Sequence, residues 1–285
     1  MLSIIVSSYK ADVFLNFEAS LAKTLGLTYE LIKIENKNEY SLSQAYNLGA
    51  AKSKYEILCF IHEDVEFLTR DWGAIIIGLF EEIENLGVIG LSGAKVKSHL
   101  PTGWSTQLSE YDVGNLVHYQ NDNYLFHTTR RGKEQFTHVK VLDGVFLATK
   151  KSVWEEFRFD ESLSGFHLYD LDFSLRATAK YLGIVSYEFL IIHFSTGGFN
   201  EDWIQSTLEY HKRNDKVDLF EHGVNNEPKI RRSWYRFLSQ FEITKENKIR
   251  YMESMGIDSS SFIFAYGFKY PKFGRLLEKI INIMR

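Results

Sequence analysis

One cysteine in 285 residues excludes a disulfide framework or a cysteine-based zinc site within a single chain. That residue, Cys59, lies in an apolar run and reads as a small buried hydrophobe. Neither sign of charge dominates: the formal net charge is −4. The basic footprint of a nucleic-acid-binding protein is missing, so no nucleic-acid partner is expected. Apolar runs such as "AIIIGLF" fall far short of the roughly 20 residues that a membrane-spanning helix needs. The first residues, "MLSIIVSSY", lack the basic start, long apolar stretch and small-residue cleavage site of a signal peptide, and read as a strand. Internal repeats and low-complexity segments are also missing. These absences point to a soluble cytoplasmic protein, at most peripheral at the inner face of a membrane.

What is present is a folded-protein composition, with 45% hydrophobic and 15% aromatic residues. Leu2 to Val6 is a continuous apolar run, as expected of a strand covered on both faces. Asp12 can cap a helix to about Leu25, which Gly26 stops. "YELIKIEN" predicts a second strand, Ser41 caps a small-residue helix, and "YEILCFI" predicts a third strand. "RDWGAIIIGLFEEIENLG" predicts a helix ended by Gly87, followed by a fourth strand, "GVIGLSG". This alternation implies right-handed crossovers and an α/β, mainly parallel sheet. Ligands of such sheets bind beyond the carboxyl ends of the strands. Ser7, Ser8 and Tyr9 follow strand one, Glu35 and Asn36 close strand two, and His62-Glu63-Asp64 follow strand three.

The pattern loosens over Ser98 to His138, which predicts a functional loop or short hairpins. "HVKVLDGVFLATKKSVW" returns to strand, broken at Asp143-Gly144. "LYDLDFSLRATAKYLG" predicts a helix ending at Gly183, and "IVSYEFLIIHFSTGG" a strand that ends near His193. "HGVNNEP" marks a boundary between a domain of residues 1–221 and a helical extension of residues 222–285.

Three groups carry candidate chemistry. Oxygen ligands at a strand end, as in His62-Glu63-Asp64, suit Mg²⁺ or Mn²⁺, which bridge phosphate oxygens; a capping Asp64 in a solvated loop is the plainer alternative. Asp170 falls near a helix N-terminus, where the dipole favours the carboxylate that a general base requires, or where an acid simply caps the helix. Asp172 and Arg176 are spaced for an ion pair along one helix face. His193 is either a satisfied core residue or, if Asp64 lies nearby, a third member of a metal shell.

Taken together, "LSIIVSSYKAD", "AYNLGAAKSKYEILCFIHEDVEF", "VLDGVFLATKKSVW" and "GFHLYDLDFSLRA" resemble a GT-A glycosyltransferase of the large family 2, nearest its streptomycin-biosynthesis-type branch. The resemblance covers roughly residues 1–221. It implies a Rossmann-like GT-A sheet sandwiched by helices. It also implies transfer of a sugar from a nucleoside diphosphate sugar to an acceptor hydroxyl, on a saccharide or a lipid-linked acceptor. By analogy, Ser7, Ser8, Tyr9, Glu35 and Asn36 hold the nucleoside. Asp64 matches the last acid of the family's DxD motif and binds Mn²⁺ or Mg²⁺, with His62 and Glu63 beside it on the donor. Asp143 and Gly144 match the segment beside the donor sugar, Asp170 the catalytic base, and His193 a later metal ligand. The sequence departs from the family pattern in two places: His62 replaces the first acid of DxD, and Tyr169 stands where a glutamate usually precedes the base.

Near the end of the chain, "KFGRLLEKIINIMR" has the spacing of a basic amphipathic helix. Such a helix packs on its own domain, joins a second subunit in a homodimer, or makes peripheral contact with anionic lipid. Trp203 and the Ser98–His138 region are expected to shape substrate preference. A non-catalytic nucleotide-sugar-binding protein of the same fold is the alternative function. A nucleotidyltransferase would show a Gly-rich basic loop after strand one, which "SSYKAD" is not.

Overall fold

The structure is a computed structural model, and it describes residues 1–195, 197–214, 220 and 224–256. The first half of the chain runs β1 (Leu2–Ser8), α1 (Ala11–Thr24), β2 (Tyr29–Glu35), α2 (Leu42–Ala51), β3 (Ile57–Ile61), β4 (Val65–Phe67), α3 (Trp72–Glu82) and β5 (Leu86–Gly90). Next come β6 (Ser92–Ala94), β7 (Asp112–Gln120), β8 (Asn123–Thr128), β9 (Phe136–Val139), β10 (Val141–Leu142) and β11 (Phe146–Lys150). The rest is α4 (Lys151–Phe157), α5 (Tyr169–Thr178), β12 (Leu182–Ser186), β13 (Ile191–His193), α6 (Glu201–Asn214), α7 (Glu227–Leu238) and α8 (Lys245–Ser254).

The described chain forms two compact units. One comprises Met1–Lys97, Gly103–Ser105 and Ser109–Gly197; the other comprises Ser98–Thr102, Thr106–Leu108 and the described residues from Gly198 onward. The predicted amphipathic stretch lies outside the described residues. Among the described residues, no helix is long and apolar enough to cross a membrane.

The first unit is built on a seven-stranded sheet of order β2-β1-β3-β11-β5-β12-β9. Strand alternation splits its side chains between two layers. Leu2, Ile4 and Val6 of β1 pack with Phe14, Phe17 and Leu21 of α1 and Trp72, Ile76 and Leu79 of α3. Ile5, with Leu58 and Phe60 of β3, packs on the other face with α2, α4 and α5. Trp72 is fully buried and lies parallel to Phe67 at 4.2 Å. Burying each such large side chain stabilises the fold by about 1.5–3 kcal/mol.

The four strands expected from the sequence, β1, β2, β3 and β5, do run the same way. The sheet is nevertheless mixed, because β11 inserts antiparallel between β3 and β5 and β9 adds antiparallel to β12. Two helix ends also differ from expectation. The helix read as ending at Gly87 ends at Glu82, and the one read as ending at Gly183 ends at Thr178. Both glycines sit inside strands, where a side chain would overlap a neighbour: Tyr181 at Gly87, Thr178 at Gly183. Glycine serves close packing there, not helix termination. The Ser41 cap, by contrast, forms as the sequence indicates, and Gln44 reciprocates to make a capping box.

A second sheet, β10-β6-β7-β13-β4, has β8 paired to β7 as a hairpin. The β7–β8 hairpin falls within the Ser98–His138 span, for which the sequence predicts a functional loop or short hairpins. The β13 strand of this sheet lies antiparallel to β4, setting His193 opposite Val65.

In the second unit, Trp203 of α6 stacks on Trp234 of α7 at 5.4 Å, inside a core with Tyr251 and Met252. The Tyr251 hydroxyl donates to the Pro101 carbonyl at 2.5 Å. Trp203 therefore belongs to this unit's own core and is 5% exposed, not positioned to shape a substrate pocket.

Candidate active site

β3 ends at Ile61, and the next three residues turn before β4 resumes. That turn brings His62 and Asp64 to the strand end, and β13 delivers His193 to the same point. His193 Nε2 lies 3.5 Å from Asp64 Oδ1, and His62 Nδ1 lies 4.0 Å from the same oxygen. The three ligand atoms all fall within 4.8 Å of one another. Ligands on a divalent ion with bonds of about 2.1 Å stand about 3 Å apart at right angles and about 4 Å apart across the ion. The 3.5 and 4.0 Å separations from Asp64 fall in that range.

A second observation supports the fit. His193 Nε2 is buried, and its 3.5 Å approach to Asp64 Oδ1 falls short of hydrogen-bond geometry. Two imidazoles with one carboxylate form a donor set less oxygen-rich than Mg²⁺ prefers, and better suited to Mn²⁺ or a later transition metal. Burial works to raise the Asp64 carboxyl, but His193 and His62 outweigh it and hold it below its usual range. Burial pushes the His62 imidazole below its ordinary range despite the facing Asp64. Both shifts favour the metal-binding forms: an ionised carboxylate and a neutral imidazole.

Tyr169 explains its own departure from the family pattern. Its hydroxyl shares a 2.7 Å hydrogen bond with His62 Nε2. Burial raises its pKa well above that of a free phenol, so it stays neutral. With Nε2–H donating to that oxygen, the His62 Nδ1 lone pair is left toward Asp64. Such outer partners orient metal-bound histidines. The hydroxyl fits only because residue 144 is glycine: a Cβ there would overlap it and reach Asp170 Cβ at 3.0 Å. Gly144→Ala should destabilise the protein by about 1–3 kcal/mol, as overpacked cores do, and lower metal affinity as well. Denaturant unfolding and metal titration check this; an alanine variant equal to the parent in both would remove the constraint.

Asp170 opens α5, one residue beyond Tyr169. Its Oδ2 accepts from the Gly144 N–H at 2.9 Å and its Oδ1 from the Leu171 N–H at 2.8 Å. Burial, and then the charge of Asp143, raise its pKa to about 7 despite these two donors. Asp143 is anchored by the Val145 N–H at 2.8 Å. Asp172 faces away from the site, paired with Arg176 at 2.5 Å.

A cavity of about 1160 Å³ opens beside these groups. Ser7, Tyr9, Asn36, His62, Glu63 and Asp64 are in its wall. The Tyr9 and Lys10 N–H groups donate to Glu63 Oε1 at 3.0 and 3.1 Å, tying the turn after β1 to the His-Glu-Asp segment. Asn36 holds its own turn, accepting from the N–H groups of Glu39 and Tyr40 and donating to Ser7 Oγ.

Other expected residues lie elsewhere. Ser8 is buried and meets Asn36 through its carbonyl. Glu35 points out of the cavity and pairs with Lys33 at 3.3 Å, because strand alternation turns Ile34 inward and Glu35 outward. Asp143, Gly144, Asp170 and His193 stand outside the cavity wall and adjoin it through His62 and Tyr169. Tyr46 was not anticipated as part of the site. It lines the cavity, packs edge-on against Tyr169 at 5.5 Å and feels both Asp64 and Asp170. In the sequence it is only one more apolar position on α2.

The glycosyltransferase-like family profile matches residues 5–220. No curated protein matches the sequence. Among solved structures, the crystal structure of GalNAc-T7 with UDP, GalNAc and Mn²⁺ is similar, with a TM-score of 0.52 and 11% identity. The match covers 81% of this chain and 54% of that one, so the chain spans about half the length of that structure. At that identity the likeness speaks for the GT-A fold alone. The profile, which spans both the sheet and the strand-end cluster, carries the assignment: the chain belongs to the glycosyltransferase-like family.

Proposed function

We propose that the protein transfers a sugar from a nucleoside diphosphate sugar to an acceptor hydroxyl in one inverting displacement, with a divalent cation on the donor. The resemblance to the streptomycin-type branch belongs to this reading, as does a place in polysaccharide or glycoconjugate synthesis at the cytoplasmic side of the cell. The carrying observation is the convergence of His62, Asp64 and His193, with the buried His193 Nε2 turned toward Asp64, next to the Asp170 segment.

His62, Asp64 and His193 would hold the cation, which supplies charge neutralisation for a departing diphosphate when bound. Tyr169 keeps His62 turned toward Asp64. Ser7, Tyr9 and Asn36 shape the wall that receives the nucleoside, and Glu63 fixes their turn. Asp143 and Gly144 border the reacting sugar, and the Gly144 N–H holds the Asp170 carboxylate in place. Asp170 accepts the acceptor's hydroxyl proton. Its raised pKa, close to neutrality, matches that task, since a base works best with a pKa near the operating pH.

The similar structure contains UDP and Mn²⁺, so the decisive experiment begins there. A panel of nucleoside diphosphates and their sugars is tested for thermal stabilisation with Mn²⁺ and with Mg²⁺. Ligand at 100 times its Kd adds about 2.7 kcal/mol. One nucleotide should stabilise the protein only with a cation present, with Mn²⁺ ahead of Mg²⁺, and its sugar should be slowly hydrolysed. Cation-independent binding, or none across the panel, would refute the proposal.

A further inference from the structure

We infer that the β7–β8 hairpin carries a stacking track for a saccharide acceptor of several sugar units, leading to the cavity through Phe194. This rests on the glycosyltransferase reading above and names the acceptor class. Phe194 follows His193, lines the cavity, and ties its N–H to the Asp64 carbonyl at 3.0 Å. Its ring meets Tyr119 at 5.4 Å, and Tyr119 meets Tyr124 at 4.9 Å. The hairpin register sets Tyr119 opposite Tyr124 and Val117 opposite Phe126. Opposed residues, and residues two apart, share a face. Phe126 therefore extends the same row beyond Tyr124, about 7 Å further along the strand.

These rings meet water. Tyr124, Phe126 and Phe194 are 63%, 61% and 42% exposed. Single exposed hydrophobes need no explanation, but a contiguous row of rings does. The row is also held in place. The Tyr119 hydroxyl donates to Asp122 Oδ1 at 3.1 Å, and Asn121, Asp122 and Asn123 crowd the hairpin tip with polar groups. A pyranose presents a face of weakly positive C–H groups, which suits the negative face of an aromatic ring, and a rim of hydroxyls, which suits the amides and the carboxylate. A second copy of this chain is the competing occupant, since β8 is an exposed edge strand. The glycan is favoured because the row ends at the cavity, where an acceptor must arrive.

The test uses the full chain and Tyr124→Ala/Phe126→Ala, with Tyr124→Phe as the ring-conserving control. Hexasaccharides of glucose, N-acetylglucosamine, mannose and galactose are titrated by calorimetry. Nucleoside diphosphate binding with Mn²⁺ and mass by light scattering are measured alongside. At least one hexasaccharide should bind the parent. The double alanine variant should bind it at least tenfold more weakly and Tyr124→Phe about equally, with nucleotide affinity the same in all three. The inference is overturned if no hexasaccharide binds the parent, or if binding survives the double substitution. A parent dimer that the double substitution splits, with no glycan bound, overturns it in favour of self-association. Nucleotide binding is read separately, so a failure of the donor reading shows in that arm while the glycan arm still decides the track.

Discussion

Asp170→Asn leaves nucleotide binding intact and lowers sugar transfer by about 10²–10⁴-fold, the usual contribution of a general base. Asparagine keeps the shape and one acceptor oxygen for the Gly144 N–H, but cannot take a proton. The pH profile sharpens the expectation. Because burial and Asp143 raise the Asp170 pKa to about 7, the ionised base accumulates as pH rises toward neutrality. In the parent, kcat/KM should climb through pH 6–7 and level above it; in the variant this limb disappears.

Stability moves the other way. An unfolded aspartate titrates near 3.9. The folded carboxyl binds its proton more tightly, so its favourable contribution is full below about pH 4 and is lost as pH rises through about 7. From pH 4 to pH 8, melting temperatures should shift in favour of Asp170→Asn relative to the parent. Equal loss of transfer and nucleotide binding would instead make Asp170 a structural residue.

His193→Ala and Asp64→Ala abolish the cation-dependent part of nucleotide affinity. Removing His193 deletes the imidazole that, with His62, holds the buried Asp64 carboxyl below its usual range, so that carboxyl should titrate higher in the metal-free variant. Removing Asp64 leaves two imidazoles facing each other, with ring centres 5.7 Å apart and no carboxylate between them. Tyr169→Phe frees the His62 ring and should weaken metal binding by about 10–100-fold, the typical cost of losing an orienting partner. Calorimetry with Mn²⁺, and with nucleoside diphosphate plus and minus Mn²⁺, measures all three. Variants with the parent's full metal-dependent gain in affinity would exclude this cluster as the cation site.

Much of the fold could be read from short-range pattern. The apolar run of β1, the Ser41 cap and the glycine stop after α1 are each decided by a few adjacent residues. Glycine misled where it serves packing: Gly87 and Gly183 look like helix stops but lie in strands that need close approach. Short hairpins are one of the two expectations for the loose region, and β7–β8 is one; the direction of β11 could not be read, because strand direction depends on distant partners.

The same division runs through the site. Sequence pattern alone determined that His62, Glu63 and Asp64 close a buried strand and that Asp170 opens a helix, since both depend on local apolar periodicity. Only the tertiary structure decided that His193, over a hundred residues away, meets Asp64, that Tyr169 holds His62, and that Glu35 turns away. Those outcomes depend on how β13 registers against β4 and how α5 packs behind Gly144, and such long-range packing leaves no periodic trace in the chain.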